Sequence, residues 1–365
     1  MKNDKRTPQE IVAWYDSITT KPYDPVFVGE KRPGETLPEI ESILTLNKDM
    51  EPFVIQNSAT RTEFLGNDYE TLQFVHCSDV HAAIECWNRM VEYMNHYSDY
   101  IHFGLHTGDY CGGMVEEYHD FYGEGTPCVK PILNCVGNHD TVSMFNANNL
   151  GHNRVEKSVT HGLLFNHTEN WDVYFMDCEY SMTYYKDFPN ANVRLIVLDL
   201  YHDIEQQIEW LKQVFADAKE KGYHVMTAAH EPSDELAEKL DVTFQTLTQF
   251  GRSPKSVFED TIAEFVADGG TFICHLAGHT HHDLMGFTEK GVLNVVVECG
   301  SDWAGWCDSK RIRGTKTYDC FNVVGVNVNA GILKLVRIGD NADYFLRTKR
   351  VLCYDYINKK LIFNG

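Results

Sequence analysis

The chain of 365 residues, 43% hydrophobic and 23% charged, has a globular composition long enough for one large domain or two ordinary ones, which excludes disorder, collagen and coiled coil. Its 32 Lys and Arg against 53 Asp and Glu leave a net charge of -21, a field that repels nucleic acid and anionic membranes unless a local site reverses it. No apolar run has the length of a membrane span, the first residues lack the apolar core of a signal peptide, and the 11 scattered cysteines contain no CxxC pair, so a soluble, cytoplasmic protein with reduced thiols is expected.

Residues 1 to 70 read as an N-terminal appendage rich in Pro and Gly, with one helix beginning at Thr7, Pro8 and Glu10 and placing Ile11, Trp14, Tyr15 and Ile18 on one face. From Thr71 the pattern changes to apolar runs of strand length that end in polar residues. TLQFVHCSD, YIHFGLHTGD, PILNCVGNHD, VRLIVLDL, HVMTAAHE and TFICHLAGHTH are those runs. Helical spacing lies between them, with Ile84, Trp87, Val91 and Met94 in 82–97, and Ile208, Leu211 and Phe215 after a cap at Asp203 in 203–219. This α/β alternation predicts a largely buried central sheet. Beyond Gly300, YDCFNVVGVNV, ILKLVRIG, RVLCYDYI and KKLIFNG read as antiparallel strands completing or extending a sheet.

In open α/β sheets function collects beyond the carboxyl ends of the strands. Here those ends carry Asp79 and His81, then Asp109, then Asn138, His139 and Asp140, then His230, then His279 and His281. One histidine or aspartate at a strand end is more often a turn or cap residue than a ligand. Five such ends are explained together by a single metal site. Two carboxylates, one amide and four imidazoles without thiolate suit Mn, Fe or Zn, and seven donors suit two divalent ions sharing one carboxylate. Glycines before Asp109, Asn138 and His279 let the backbone turn tightly toward a crowded centre.

The ordered series DVH, GD, GNHD, AAH and GHTH resembles the calcineurin-like metallophosphoesterases over about residues 72 to 300. That resemblance implies an α/β (α+β) four-layer sandwich of two mixed β-sheets flanked by helices, with the C-terminal antiparallel strands added. It makes Asp79, His81 and His281 ligands of a first metal and Asn138, His230 and His279 ligands of a second, with Asp109 bridging. His139 would face the substrate, oriented by Asp140, while a metal-bridging hydroxide attacks phosphorus in line with the leaving group. The purple acid phosphatase branch lacks the DxH histidine and supplies a tyrosinate three residues after the GD aspartate, whereas this chain has His81 and Gly112 at those places, with Tyr110 off register.

The expected activity is hydrolysis of a small phosphomonoester or phosphodiester. A nuclease of the same fold is disfavoured by the charge and by the lack of a Lys/Arg run, so a nucleic-acid polymer is not the expected partner. A non-catalytic metal-site scaffold binding a protein partner is disfavoured by the intact His139 and ligand set. Residues 141–172, with His152, Arg154, Lys157, His161 and His167, read as a cap or loop over the metals within a core spanning 71–300. His282 reads as a substrate contact or an exposed turn histidine, Trp303 and Trp306 as lining the mouth of the site or as core or interface residues, and Cys111 as a buried small residue with no chemical step. Metal identity and oligomeric state do not follow from these residues.

Overall fold

The computed structural model describes residues 71–98, 100–110, 128–140, 172–178, 181–201, 204–233, 254–301, 320–339 and 351–364. The N-terminal appendage, most of the 141–172 segment, Cys111, Asp203, Trp303 and Trp306 lie outside them. The first strand, β1 (Thr71–Cys77), is buried along its whole length, as its unbroken apolar run predicts. It is followed by α1 (Ile84–His96), β2 (Phe103–His106) and β3 (Ile132–Asn134). The second half of the core runs through β4 (Tyr174–Phe175), β5 (Tyr184–Phe188), β6 (Val193–Val197), α2 (Ile204–Lys221), β7 (His224–Ala228), α3 (Pro254–Ala267), β8 (Thr271–Ala277), β9 (Leu284–Phe287) and β10 (Leu293–Val296). Four strands close the chain: β11 (Cys320–Asn327), β12 (Ile332–Gly339), β13 (Val351–Asp355) and β14 (Lys360–Asn364).

These strands make two mixed seven-stranded sheets, ordered β14-β13-β12-β11-β1-β2-β3 and β4-β5-β6-β7-β8-β10-β9. In the first, β1, β2 and β3 run parallel and the C-terminal strands antiparallel. In the second, β6, β7, β8 and β10 run parallel. The C-terminal strands are no fringe, because β11 lies directly beside β1, pairing Thr71 with Asn327.

Alternation along single strands sets the layers. Phe103 stacks on Phe188 of the second sheet with ring centroids 4.9 Å apart, while its neighbour Gly104 meets Met94 of α1. The first sheet therefore has α1 on one face and the second sheet on the other. Likewise Leu195 and Val197 join the core between the sheets, whereas Ile196 and Leu198 pack with Leu211, Phe215, Phe258 and Ile262 of α2 and α3. Helix, sheet, sheet, helix is the resulting four-layer sandwich. The outer layer is tied down by buried Arg194 on β6, which donates to Asp187 and to the Val214 carbonyl and pairs with Asp217 on α2.

Candidate metal centre

The parallel strands of both sheets release their chains at one end of the sandwich. Asp79 and His81 follow β1, Asp109 follows β2, and Asn138, His139 and Asp140 follow β3 of the first sheet; His230 follows β7, and His279 and His281 follow β8 of the second. Backbone bonds lace these loops together. Asp79 N–H donates to the Gly108 carbonyl (3.0 Å), His81 N–H to the Asp109 carbonyl (3.2 Å) and Gly278 N–H to the His230 carbonyl (2.9 Å). The sheets are joined where His279 N–H donates to Asp79 Oδ2 (2.8 Å). Gly108 has φ +98°, and a Cβ there would stand 2.6 Å from the Gly137 nitrogen and 2.7 Å from His230 Nδ1. At Gly278 a Cβ would collide with the Ser78 and Asp79 side chains, so the loops can approach only as glycines.

All seven donors expected from the sequence converge in one buried pocket. Nε2 of His81 and Nε2 of His281 lie 2.9 Å apart, with Asp79 Oδ1 3.3 Å from the latter and 3.8 Å from the former. A second cluster has His230 Nε2 2.9 Å from Asn138 Oδ1 and 3.1 Å from His279 Nδ1. One atom serves both: Asp109 Oδ2 is 3.2 Å from His230 Nε2 and 3.9 Å from His81 Nε2. His139 stands apart from the donors in exposure, its side chain 14% accessible against 0–7% for the ligand-type side chains whose ion pairs reach Asp79 and Asp109. Its N–H donates to Asp109 Oδ1 (2.7 Å) and its ring meets that of His81 edge-on at 4.9 Å.

Charge and strain both concentrate here. Burial would lower the His230 imidazole and raise the Asp109 carboxyl, yet their mutual attraction wins, lifting His230 to about 10 and holding Asp109 well below the carboxylate range. Asp79 is likewise held low against burial, by its hydrogen bond with His281 and by the neighbouring imidazoles. Positive φ angles occur at Asp79, His81, Asp109, His279 and His281. For residues other than glycine this conformation costs on the order of 1 kcal/mol each and collects at functional sites.

A pair of divalent cations fits this donor set. Asp79 Oδ1 is buried without a hydrogen-bond partner, and imidazole nitrogens face one another at contact distance, as lone pairs do around a shared cation. His230 Nδ1 lies 2.7 Å from the Thr107 carbonyl, a bond that fixes the tautomer and turns Nε2 inward. His81, Asp109 and His139, and separately Asp109, His230 and His279, form groups that could hold an ion.

Residues 72–283 match the sequence profile of the calcineurin-like phosphoesterases, more than half of the chain. The chain belongs to the calcineurin-like phosphoesterase family. A calcineurin-like phosphoesterase is a metal-dependent hydrolase of phosphoric esters, and this one has that family's architecture of two mixed sheets. Among solved structures, PhoD is similar over 81% of this chain and 72% of its own, at 11% identity and a TM-score of 0.51, a likeness of fold. A dimetal phosphatase from Danio rerio aligns over 76% of this chain and 98% of its own, at 13% identity and a TM-score of 0.48. No curated protein sequence matches the chain.

Around the donors of this phosphoesterase further bonds hold the loops in place. The Asp140 carboxylate accepts from the N–H groups of Asp109, Tyr110 and Gly137 at 2.8–3.0 Å, so it pins the β2 and β3 loops to each other. The Cys299 thiol and the Ser301 hydroxyl both donate to the Asp79 carbonyl. No spacing in the sequence marks these bonds. Tyr110 turns away from the donors, stacking on His106 at 3.7 Å and donating to Asn134. The nine described cysteines are free, and no described helix is long and apolar enough to cross a membrane.

Proposed function

We propose that this phosphoesterase hydrolyses a small phosphomonoester or phosphodiester at a centre of two divalent ions, Mn, Fe or Zn. Asp79, His81 and His281 would hold the first ion, Asn138, His230 and His279 the second, and Asp109 would bridge them. The observation that carries this reading is the single atom Asp109 Oδ2, within 4 Å of a ring nitrogen in each cluster. Bound there, the ions would polarise the phosphoryl oxygens and lower the pKa of water toward neutrality, so that solvent attacks phosphorus without a covalent enzyme intermediate.

The chain's own residues do the rest. Thr107 holds the inward tautomer of His230, and the His279 N–H occupies one oxygen of Asp79 so that the other faces the pocket. His139, more exposed than the donors and fastened through its N–H to Asp109, stands where a substrate enters; its imidazole can donate a proton to the leaving oxygen or stabilise charge on the phosphoryl group. A net charge of -21 works against polyanions, whose repulsion grows with each phosphate, and so favours a compact ester. Residues 1–70 are read as an appendage, 71–300 as the catalytic core with 141–172 over the metals, and 301–365 as the strands that complete its first sheet.

The test is metal content beside turnover. Chelator-treated protein should lose hydrolysis of aryl phosphates or aryl diesters and regain it with Mn, and Asp109→Ala should lose ions and turnover together. Full activity in the metal-free protein would refute the reading. In a substrate panel, cleavage of long DNA at rates above those for small diesters would overturn the small-substrate claim alone.

A further inference from the structure

Arg337, on β12 and beyond the matched stretch 72–283, is buried to 1% exposure. Its guanidinium spreads over four partners. Nη2 donates to Asp283 Oδ1, Nε to Asn322 Oδ1 (2.9 Å) and Nη1 to Cys320 Sγ (2.8 Å), and Nη1 lies 3.6 Å from Glu298 Oε2. Both carboxylates are themselves 1–3% exposed. Taking three charges out of water is expensive, and apolar residues of similar volume often do as well or better for stability, so such a cluster needs a reason beyond holding the core.

Its position supplies one. Asp283 is the second residue after His281, and Glu298 precedes Cys299, Gly300 and Ser301. Asp283 Oδ1 also accepts the Glu298 N–H (3.1 Å), so the two loops meet on the oxygen that Arg337 holds. One loop carries His279 and His281. The other grips the turn of Asp79, through Cys299 Sγ and Ser301 Oγ on the Asp79 carbonyl and through Gly300 N–H on the Ser78 carbonyl (2.7 Å). Oδ2 of Asp283 is buried with no hydrogen-bond partner, so the carboxylate is held for the one oxygen at the junction.

We propose that Arg337 is a positioning residue for the metal centre: through Asp283 it fixes the loops that aim Asp79, His279 and His281, so that a C-terminal strand sets metal affinity from outside the ligand set. The proposal rests on the ligand assignment above. Partners beyond the ligands typically change metal affinity by 10- to 100-fold when altered.

Arg337→Lys keeps the charge but loses the fork that reaches Asn322, Cys320 and Asp283 together. Arg194→Lys is its control, since Arg194 is equally buried and ion-paired but lies in the outer layer against α2. With chelator-treated full-length protein titrated with Mn and Co, wild type should bind two ions per chain. Arg337→Lys should bind about 10- to 100-fold more weakly with an altered visible Co(II) spectrum, while Arg194→Lys loses stability and keeps wild-type affinity and spectrum. Should Arg337→Lys not fold, Asp283→Asn, which keeps an oxygen for the Glu298 N–H, is read in its place. Wild-type affinity and spectrum in the variant would overturn the positioning role alone; a wild type that binds no ion would overturn the ligand assignment instead.

Discussion

His139 and Asp140 are neighbours in one GNHD turn with opposite exposures and different work. The His139 side chain is more accessible than the ligand-type side chains, so His139→Ala should keep both metals by elemental analysis while turnover falls about 10²- to 10⁴-fold, the usual worth of a positioned acid or base. An emptied site in that variant would make His139 a ligand. Asp140 satisfies three backbone donors at once. Leaving such buried N–H groups without an acceptor costs about 1–3 kcal/mol apiece. Asp140→Ala should therefore lower the urea midpoint markedly and weaken metal binding, whereas a loss of rate with unchanged stability would fit a role on His139 alone.

Among the elements, β12 carries a second buried cation with a different character from Arg337. Lys334 Nζ has no hydrogen-bond partner, and burial brings its ammonium down to about 8, with the Cys353 thiol opposing. A lowered lysine value means that between pH 8 and 10.5 the unfolded chain holds a proton that the folded chain has released, so folding stability rises with pH across that window. Below pH 8 the folded protein carries the full penalty, about 3 kcal/mol at most. Lys334→Met should raise the urea midpoint at pH 7 and remove the rise above pH 8. An unchanged midpoint with the slope intact would show that the ammonium reaches solvent. Most elements were legible in the sequence, because apolar runs ending in polar turns are local signals: the runs ending in Asp79, Asp109, Asp140, His230 and His279-Thr280-His281 all contain strands. α3 escaped despite Phe258, Ile262 and Phe265 at helical spacing, and two-residue β4 has no period to read. The place of β11 beside β1 joins residues 256 apart, Asn327 and Thr71, and nothing local encodes it. The donor set was readable as residue types at strand ends; the Arg337 cluster was not, since its members come from β11, β12 and the two loops that follow β8 and β10.

At the scale of the whole molecule, buried neutral histidines make the fold sensitive to acid. Burial, with help from His106 and Arg337, brings His76 to about 3, and burial brings His106 to about 3 against the pull of Asp79. Both values are depressed, so stability is unaffected above the unfolded value of 6.5 and falls progressively as pH drops from 6.5 toward the folded value of about 3. From pH 6.5 to 5 each should withdraw about 2 kcal/mol. Urea unfolding of chelator-treated protein at pH 7 and pH 5 would measure it, and equal midpoints would mean that these imidazoles are protonated in the folded state.

The meeting of both sheets on one pocket has a mechanical consequence. Asp79 and His279 touch across 200 residues of chain, as do His81 and His281. Ions gripped from both sides would act as a reversible crosslink between distant segments, released whenever either sheet opens. A ligand that binds only the folded chain adds about 4 kcal/mol at a thousand times its dissociation constant. Metal loading should thus raise the melting temperatures of the two sheets together, as one transition, and the enzyme's tolerance of heat should follow the free metal concentration around it.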